Sequence, residues 1–251
     1  MKKTWQTGRK PLVVAFTAVY NQLSFCVRAV QSLEQNHGLD AEDFRYILYD
    51  QASPYPLVQE WLADKDAEIW GGKNIGIGAA MNEVIAKTTG EFWFKYDDDN
   101  TIDPHTLPAL ISAHYHAAQA QIPLAILSAD VRGVGKSEAI YDEIEVFPGL
   151  TLQFVPCCGG GAVLIPRAVM EDIGPWRADR LYGVEDGDYA MRAAEKGYRS
   201  AYLKGYYHTS YCRGEEADES IDRWKTAYHQ GETDLSFDEW RSQHESQPCV
   251  P

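Results

Sequence analysis

Strand-like and helix-like segments alternate through the first half of the chain, and this order constrains the fold more than any other feature. Strands are expected at 11–21, which is a continuous apolar run, and at the apolar-rich segments 44–50, 67–70, 92–96 and 124–130. Segments with helical spacing or helix-start signals lie between them, at 23–36, 53–64, 71–90 and 107–120. The alternation predicts an α/β fold with a mostly parallel, doubly wound central sheet.

The second half has a less regular pattern. The polar stretch 131–149 is loop-like, and two strands are expected at 150–156 and 159–166, on either side of the sequence CCGGG. A helix is predicted from Arg167, then a second helix and a strand within 181–210. The tail from Arg213 is acidic, with one possible helix at ESIDRWKTAYHQ.

The charge balance and the cysteines exclude several classes of protein. The chain has 37 acidic and 23 basic residues, a formal net charge of −14, which disfavours binding to nucleic acid or to anionic membranes. No apolar run approaches the ~20 residues of a membrane span. The five cysteines form no C-x-x-C pair, so free thiols in a reducing cytoplasm are expected. We therefore expect a soluble, cytoplasmic protein.

The sequence EFWFKYDDDN places three aspartates directly after a predicted strand. Adjacent carboxylates repel one another unless a positive charge lies among them. A turn with Thr101 or Asp103 capping the next helix would explain one or two of these acids. Three in a row favour a hard dication, Mn²⁺ or Mg²⁺, which takes carboxylate and phosphate oxygens as ligands.

Polar residues also follow the other parallel strands. The first strand ends on Tyr20 and Asn21, and the second ends on Asp50. The carboxyl ends of parallel strands share one edge of the sheet, where ligands bind in such folds. We therefore expect these residues to lie near the three aspartates.

Three further segments each allow a structural and a functional interpretation. The glycines of KNIGIGAAMN could form a turn or could bring backbone N–H groups close to phosphate. The acids of LYGVEDGDYAMR could cap a helix or could include a general base. His208, near a strand end, could be structural or could be a metal ligand.

The order of these motifs, over residues 11 to about 210, resembles family 2 glycosyltransferases with a GT-A fold. The likeness consists of Tyr-Asn, Asp-x-x-Ser, N-x-G-x-G-x-x-x-N, DDD, GGG-x-x-L-I-P-R, Glu-Asp and a final histidine. It implies one GT-A domain over 1–251 with a smaller acceptor-side sheet. Residues 11–130 would bind the nucleotide sugar, 131–212 would bind the acceptor, and 213–251 would form a C-terminal tail.

The resemblance also implies a role for each residue of the donor site. The nucleotide sugar would contact a set of residues from the first four motifs: Tyr20, Asn21, Asp50, Lys73, Asn74, Gly76, Asp97 and Asp98. Asp50 would accept a hydrogen bond from the base. Asp97 and Asp99 would be the outer pair of a D-x-D motif that holds the metal, with His208 as a further ligand.

On the acceptor side, Asp186 would deprotonate the acceptor hydroxyl, and Glu185 would orient Asp186 or the acceptor. The implied reaction is a metal-dependent, inverting transfer of one sugar, with a UDP-sugar favoured as donor. The usual Pro-Thr before Tyr-Asn is replaced by Ala18 and Val19, and Gln51 follows Asp50 in place of Asn or Gly. The Q-x-x-R-W motif of processive synthases is missing, which favours single transfer over polymerisation.

Two other functions are compatible with the same motifs. A sugar-nucleotide nucleotidyltransferase would share the nucleotide-binding sheet, but it usually has a basic glycine-rich loop after the first strand, and AVYNQLS contains none. A module that binds nucleotide sugar or glycan without turnover is the second alternative. The acceptor stays open among glycans, lipid-linked glycans and proteins, while nucleic acid is disfavoured by the net charge.

Overall fold

The computed structural model describes residues 10–20, 22–65, 67–132, 139–183, 185–211, 219–235 and 237–244. The first half contains β1 Val13–Val19, α1 Leu23–Asn36, β2 Phe44–Asp50, α2 Pro56–Ala63, β3 Glu68–Gly71, α3 Ile77–Lys87, β4 Phe92–Tyr96, β5 Asn100–Ile102, α4 Thr106–Gln119 and β6 Leu124–Arg132. The second half contains β7 Asp142–Phe147, β8 Leu150–Val155, β9 Ala162–Pro166, α5 Arg167–Ile173, α6 Glu185–Glu195, β10 Arg199–Ser210, α7 Glu219–Gln230 and α8 Phe237–His244.

The strands form one mixed sheet in the order β3-β2-β1-β4-β9-β6-β10-β8-β7, with β5 paired to β10. Strands β3, β2, β1 and β4 run parallel, and β9 is antiparallel to β4 and β6. The α/β fold and the mostly parallel central sheet are thus confirmed. Among the described residues, the acceptor-side strands β8 and β7 continue the central sheet, because β10 is long enough to pair with β6, β8 and β5.

Apolar side chains fill both faces of the central sheet. Along β1, Val13, Ala15 and Val19 join one core cluster, which includes Leu33 of α1 and Leu110 of α4. Val14 and Phe16 point to the opposite face and pack with Met81 of α3 and Tyr189 of α6. Burial on both faces explains why the strand is a continuous apolar run and does not alternate.

The structure corrects the loop expected over 131–149. Residues 142–147 form the edge strand β7, in which Ile144 and Val146 pack on the core and the acids face outward. Asp142 and Glu143 form ion pairs with Arg199 and Lys204 of β10. Charged residues on an exposed edge strand discourage pairing with other chains, and they also hide the strand pattern in the sequence.

The structure also differs from the sequence predictions at the start of α4 and in the C-terminal tail. Asn100–Ile102 form β5, and α4 begins only at Thr106, after His105 in the left-handed region with φ 68°. Neither Thr101 nor Asp103 therefore caps α4; Asp103 pairs with Arg132 at 2.7 Å. The helix expected in the tail is confirmed as α7, and α8 has no counterpart among the sequence predictions.

Candidate active site

Polar residues gather where the parallel strands end, as expected from their positions. The register aligns Val19 of β1 with Asp50 of β2, and β4 lies on the other side of β1. Tyr20, Asp50 and Asp97 therefore follow neighbouring strands along one edge of the sheet. Asn21 lies outside the described residues.

Asp50 forms a closed hydrogen-bonded turn at the end of β2. Its carboxylate is 5% exposed and accepts hydrogen bonds from Ser53 N at 2.9 Å and from Gln59 Nε2 at 2.6 Å. Its backbone oxygen accepts from Gly72 N at 2.9 Å. These contacts fix the carboxylate beside the glycine-rich loop, and Gln59 was not anticipated from the sequence.

The glycine-rich loop is held by both halves of the chain. Ile75 N donates to Gln51 Oε1 at 3.0 Å. Gly76 has φ 84°, and a Cβ there would lie 2.7 Å from the backbone oxygen of Arg180, so only glycine fits. Lys73 and Asn74 are exposed, and Asn74 Oδ1 accepts a hydrogen bond from Gly76 N.

The loop leads into α3, whose first amide already has a partner. Ile77 N donates to Leu181 O at 3.1 Å, across the boundary between the two halves. The start of a helix has several such N–H groups without intrahelical partners, and they can bind phosphate. One of these donors is thus used internally.

The three consecutive aspartates do not form one cluster. Asp97 Oδ1 lies 2.8 Å from Lys95 Nζ, whereas Asp98 Oδ2 accepts a hydrogen bond from Cys26 Sγ of α1 at 3.2 Å. The backbone oxygen of Asp99 accepts from Tyr211 N at 3.0 Å. The carboxylates of Asp97 and Asp98 therefore have different partners, and a cation lies beside the first of them, which removes part of the repulsion that the sequence implies.

Lys95 joins the end of β4 to the start of α6. It is 3% exposed, and its ammonium group donates to Asp97 Oδ1 and to Gly160 O, each at 2.8 Å. Asp186 Oδ2 lies 3.7 Å from the same nitrogen. A Cβ on Gly160 would overlap with both Asp186 Oδ2 and Lys95 Nζ. The glycine is thus needed for this close approach.

The same contacts shift the pKa values of the charged groups. Burial would lower the pKa of Lys95, but the carboxylates of Asp186 and Asp97 outweigh it, and the pKa stands above its usual value. The pKa of Asp186 is raised, chiefly by desolvation, although its side chain is still 30% exposed and Lys95 opposes the shift. Burial, followed by the charge of Asp186, also raises the pKa of Glu185. Both acids of the Glu-Asp pair are therefore easier to protonate than a free carboxyl group.

His208 lies on β10 opposite Ile102 of β5 and is 3% exposed. Burial lowers its pKa to about 4, so the ring is neutral near pH 7. Its Nδ1 atom and the Oδ1 atom of Asn100 are buried and have no hydrogen-bond partner among the described residues. A Cβ on Gly161 would lie 2.9 Å from His208 Nε2 and 2.8 Å from Asn100 Nδ2, so both side chains close on that glycine.

The described residues contain no group of three Asp, Glu, His or Cys side chains already gathered around one metal position. Of the predicted ligands, Asp97 follows β4 and Asp99 precedes β5, while His208 lies on β10, which pairs with β5. Carboxylate oxygen and neutral imidazole nitrogen are ligand types that Mn²⁺ accepts. Asn100 Oδ1 has no hydrogen-bond partner among the described residues and would lie 3.3 Å from a Cβ on Gly161, and this is the observation that best fits such a site.

The C-terminal helices reach the same region. Trp224, Tyr228 and Trp240 form a small cluster that packs against Tyr20 and Tyr182. The hydroxyl of Tyr228 accepts a hydrogen bond from Leu181 N at 3.0 Å. The tail thus contacts both the predicted nucleotide side and the loop that precedes Glu185.

The most important residue that the sequence analysis passed over is Lys95. It is the only cation in the buried strand FWFKY and stands two residues before Asp97. Because side chains two apart in a strand point to one face, this spacing alone predicts their contact. The partner Gly160 could not be inferred this way, since it approaches from the loop between β8 and β9.

No curated protein sequence matches this chain. Its fold is similar to that of "Mannosyltransferase PcManGT from Pyrobaculum calidifontis in complex with GDP-Man and Mn2+", with a TM-score of 0.62, 18% identity, and coverage of 91% of this chain and 66% of that one. It is also similar to S. aureus TarS residues 1–349 in complex with UDP-GlcNAc, with a TM-score of 0.58, 16% identity, and coverage of 90% and 68%. Against the longer TarS chain the coverage is 90% of this chain and 41% of that one.

No helix among the described residues is long and apolar enough to cross a membrane. The solved structures share the GT-A arrangement of sheet and helices with this chain, at identities that show the fold alone. The model of one sequence family, glycosyl transferase family 2, matches residues 15–171, from β1 to α5. That match covers more than half of the chain, and the chain belongs to glycosyl transferase family 2.

Proposed function

We propose that this protein is a metal-dependent, inverting glycosyltransferase that moves one sugar from a nucleoside-diphosphate sugar to an acceptor hydroxyl. The observation that carries the proposal is the junction of Lys95 with Asp97 and Asp186, which brings a donor-side carboxylate and an acceptor-side carboxylate to one ammonium group. Such proximity is what a direct displacement between two bound substrates requires.

The donor would lie along the edge formed by Tyr20, Asp50 and the loop from Lys73 to Gly76. Asp50 is held beside that loop and would accept a hydrogen bond from the base. Asp98, on the α1 side, would approach the ribose or the sugar. A UDP-sugar is the favoured donor; the similar structures contain GDP-Man in one case and UDP-GlcNAc in the other.

Asp97, Asp99 and His208 would hold Mn²⁺ or Mg²⁺, with the donor phosphates completing the coordination. A bound dication would neutralise the charge that develops on the nucleoside diphosphate as it leaves. The similar mannosyltransferase structure contains Mn²⁺. The neutral, buried imidazole of His208 supports this assignment, as does Asn100 Oδ1, which has no hydrogen-bond partner in the part of the chain that the structure describes.

Asp186 would act as the general base. It would take the proton from the acceptor hydroxyl while the hydroxyl oxygen forms a bond to the anomeric carbon. The bond from that carbon to the phosphate oxygen breaks on the opposite face, and its electron pair leaves with the nucleoside diphosphate. Glu185, 8% exposed at the start of α6, would orient Asp186 or the acceptor. One displacement inverts the configuration at the anomeric carbon.

A panel of UDP-, GDP- and TDP-sugars, each with and without Mn²⁺, tests the proposal. We expect one nucleotide sugar to raise the melting temperature only with the metal and to be hydrolysed slowly without an acceptor. A donor that binds but is never hydrolysed would favour the alternative, a nucleotide-sugar-binding module. Formation of a nucleotide sugar from a sugar phosphate and a nucleoside triphosphate would favour a nucleotidyltransferase. The acceptor, expected to be a glycan, a lipid-linked glycan or a protein, and the cytoplasmic location both stay predictions.

A further inference from the structure

Lys95 has a position that the proposed roles of its neighbours do not explain. It is the cation of an otherwise apolar, fully buried strand, and its side chain is 3% exposed. Burying an ammonium group is costly unless hydrogen bonds and opposite charges compensate. Asp97 Oδ1 and Gly160 O, each at 2.8 Å, and Asp186 Oδ2 at 3.7 Å provide that compensation.

The three partners come from three different elements. Asp97 follows β4, Gly160 lies in the loop between β8 and β9, and Asp186 lies in the first turn of α6. Lys95 therefore contacts both Asp97, a predicted metal ligand, and Asp186, the predicted base. The absence of a side chain on Gly160 permits the approach of Lys95 to Asp186, because a Cβ would overlap with both Lys95 Nζ and Asp186 Oδ2.

The charge of Lys95 has a second consequence. Its ammonium group lies against Asp97, a carboxylate that the proposed function assigns to the cation. Two positive charges near one carboxylate compete, and inside a protein the interaction is much stronger than in water. A dication entering the resting site therefore meets a charge that is already partly neutralised.

We propose that Lys95 is a positioning residue that fixes Asp97 relative to Asp186, and that its charge weakens cation binding to the site before the donor arrives. The inference rests on the proposed function, from which Asp97 and Asp186 take their roles. The donor phosphates would bring the extra negative charge that lets the cation and Lys95 share the site.

The main test replaces Lys95 by methionine in the full chain, which removes the charge and keeps an unbranched side chain only one atom shorter. Mn²⁺ binding is measured by electron paramagnetic resonance without nucleotide, and kcat and KM are measured with the nucleotide sugar that the panel identifies. We expect Lys95→Met to bind Mn²⁺ about threefold to tenfold more tightly. We expect kcat to fall at least tenfold, to about 10²-fold, with the donor KM changed by less than about threefold.

A purely structural lysine would not give this combination. Loss of folding would lower kcat and Mn²⁺ affinity together, whereas the inference requires them to move in opposite directions. A kcat within tenfold of native, or a Mn²⁺ affinity that is unchanged or weaker, would overturn it. If the native protein neither binds Mn²⁺ nor turns over any nucleotide sugar, the proposed function fails first, and the two failures are distinguished.

A second variant keeps the inference testable if Lys95→Met does not fold. Gly160→Ala leaves every charge in place and pushes Lys95 away from Asp186. We expect kcat to fall at least tenfold and Mn²⁺ affinity to stay within about threefold of native. Gly187→Ala is the matched control, since its Cβ meets no atom within 4 Å. Equal kcat values for the two alanine variants would overturn the positioning role.

Discussion

Asp97 and Asp98 are neighbours in the chain, yet their carboxylates are held on opposite sides of the central sheet. Asp97 contacts Lys95 on the side of α6, and Asp98 accepts a hydrogen bond from Cys26 on α1. Neighbouring acids of this run therefore lie in two different environments. The first acid belongs with the predicted metal and base, and the second lies near the start of the first helix.

We expect Asp186→Asn to lower kcat for sugar transfer by about 10²–10⁴-fold, because the variant cannot accept the acceptor proton. Donor affinity should change by less than about threefold, since the role proposed for Asp186 is on the acceptor side. The measurement is steady-state transfer together with donor titration by calorimetry. Asp188→Asn is the control: this acid lies in the same helix and pairs with Arg192 at 2.8 Å. Near-native transfer by Asp186→Asn would show that another group is the base.

We expect a chelator to remove transfer activity and added Mn²⁺ or Mg²⁺ to restore it. If His208 is a ligand, His208→Leu should weaken Mn²⁺ binding in the presence of UDP at least tenfold, because one coordinate bond is lost. A Mn²⁺ titration checks this. The control is His116→Leu, since His116 stacks on Phe147 away from the strand ends. Unchanged Mn²⁺ affinity in His208→Leu would restrict the ligands to carboxylates and the donor.

Asn82 connects α3 to the loop after α5 through two hydrogen bonds. Its Nδ2 donates to Trp176 O and its Oδ1 accepts from Trp176 N, each at 2.8 Å. We expect Asn82→Ala to lower the free energy of unfolding by about 2–4 kcal/mol, because two backbone groups lose their partners. Urea unfolding measures the change. Lys87→Ala removes an exposed pair on the same helix and should cost only about 0.3–0.5 kcal/mol. Equal losses would mean that the Asn82 contacts add nothing.

Because of His114, we expect the free energy of unfolding to decrease in mild acid. His114 is 5% exposed, its ring nitrogen Nε2 lies 3.2 Å from Leu164 O, and burial lowers its pKa to about 4 from a usual 6.5. The unfolded chain therefore binds the proton first as pH falls below about 6.5, and stability decreases until about pH 4. The loss attributable to this histidine is on the order of 3 kcal/mol.

His114→Gln should flatten that part of the pH profile, because glutamine cannot take up the proton. Free energies of unfolding from urea titrations at pH 7, 6, 5 and 4 would check this. A variant with the native slope between pH 6.5 and 4 would assign the acid sensitivity to other groups.

The central part of the fold could be predicted because both of its faces are buried. The apolar run 11–19 and the segment 92–96, which is apolar except for Lys95, have few alternatives to a buried strand, and the polar residues that follow them are expected at one edge of a parallel sheet. The edge strand β7 was missed for the opposite reason. Its outward acids break the apolar pattern, and pairing with β8 and charges from β10 stabilise it.

The sequence indicates which residue types could form the candidate site, but it does not indicate how their side chains are arranged. The sequence places Asp97, Asp186 and His208 at the ends or starts of elements, but it does not specify which face each side chain takes. Lys95 was within reach of sequence reasoning, since strand alternation puts it on the side of Asp97. The approach of Gly160 depends on loop packing, which no local pattern encodes.

The contacts between α3 and the stretch that leads to α6 limit how this protein could be rebuilt. Ile77 N bonds to Leu181 O, and Asn82 bonds to both backbone groups of Trp176. A chimera that exchanged residues 131–212 for those of a relative, in order to change acceptor choice, would leave these donors facing a foreign backbone. Residues 76–82 would therefore have to be exchanged together with the transplanted segment, so that these hydrogen bonds are kept.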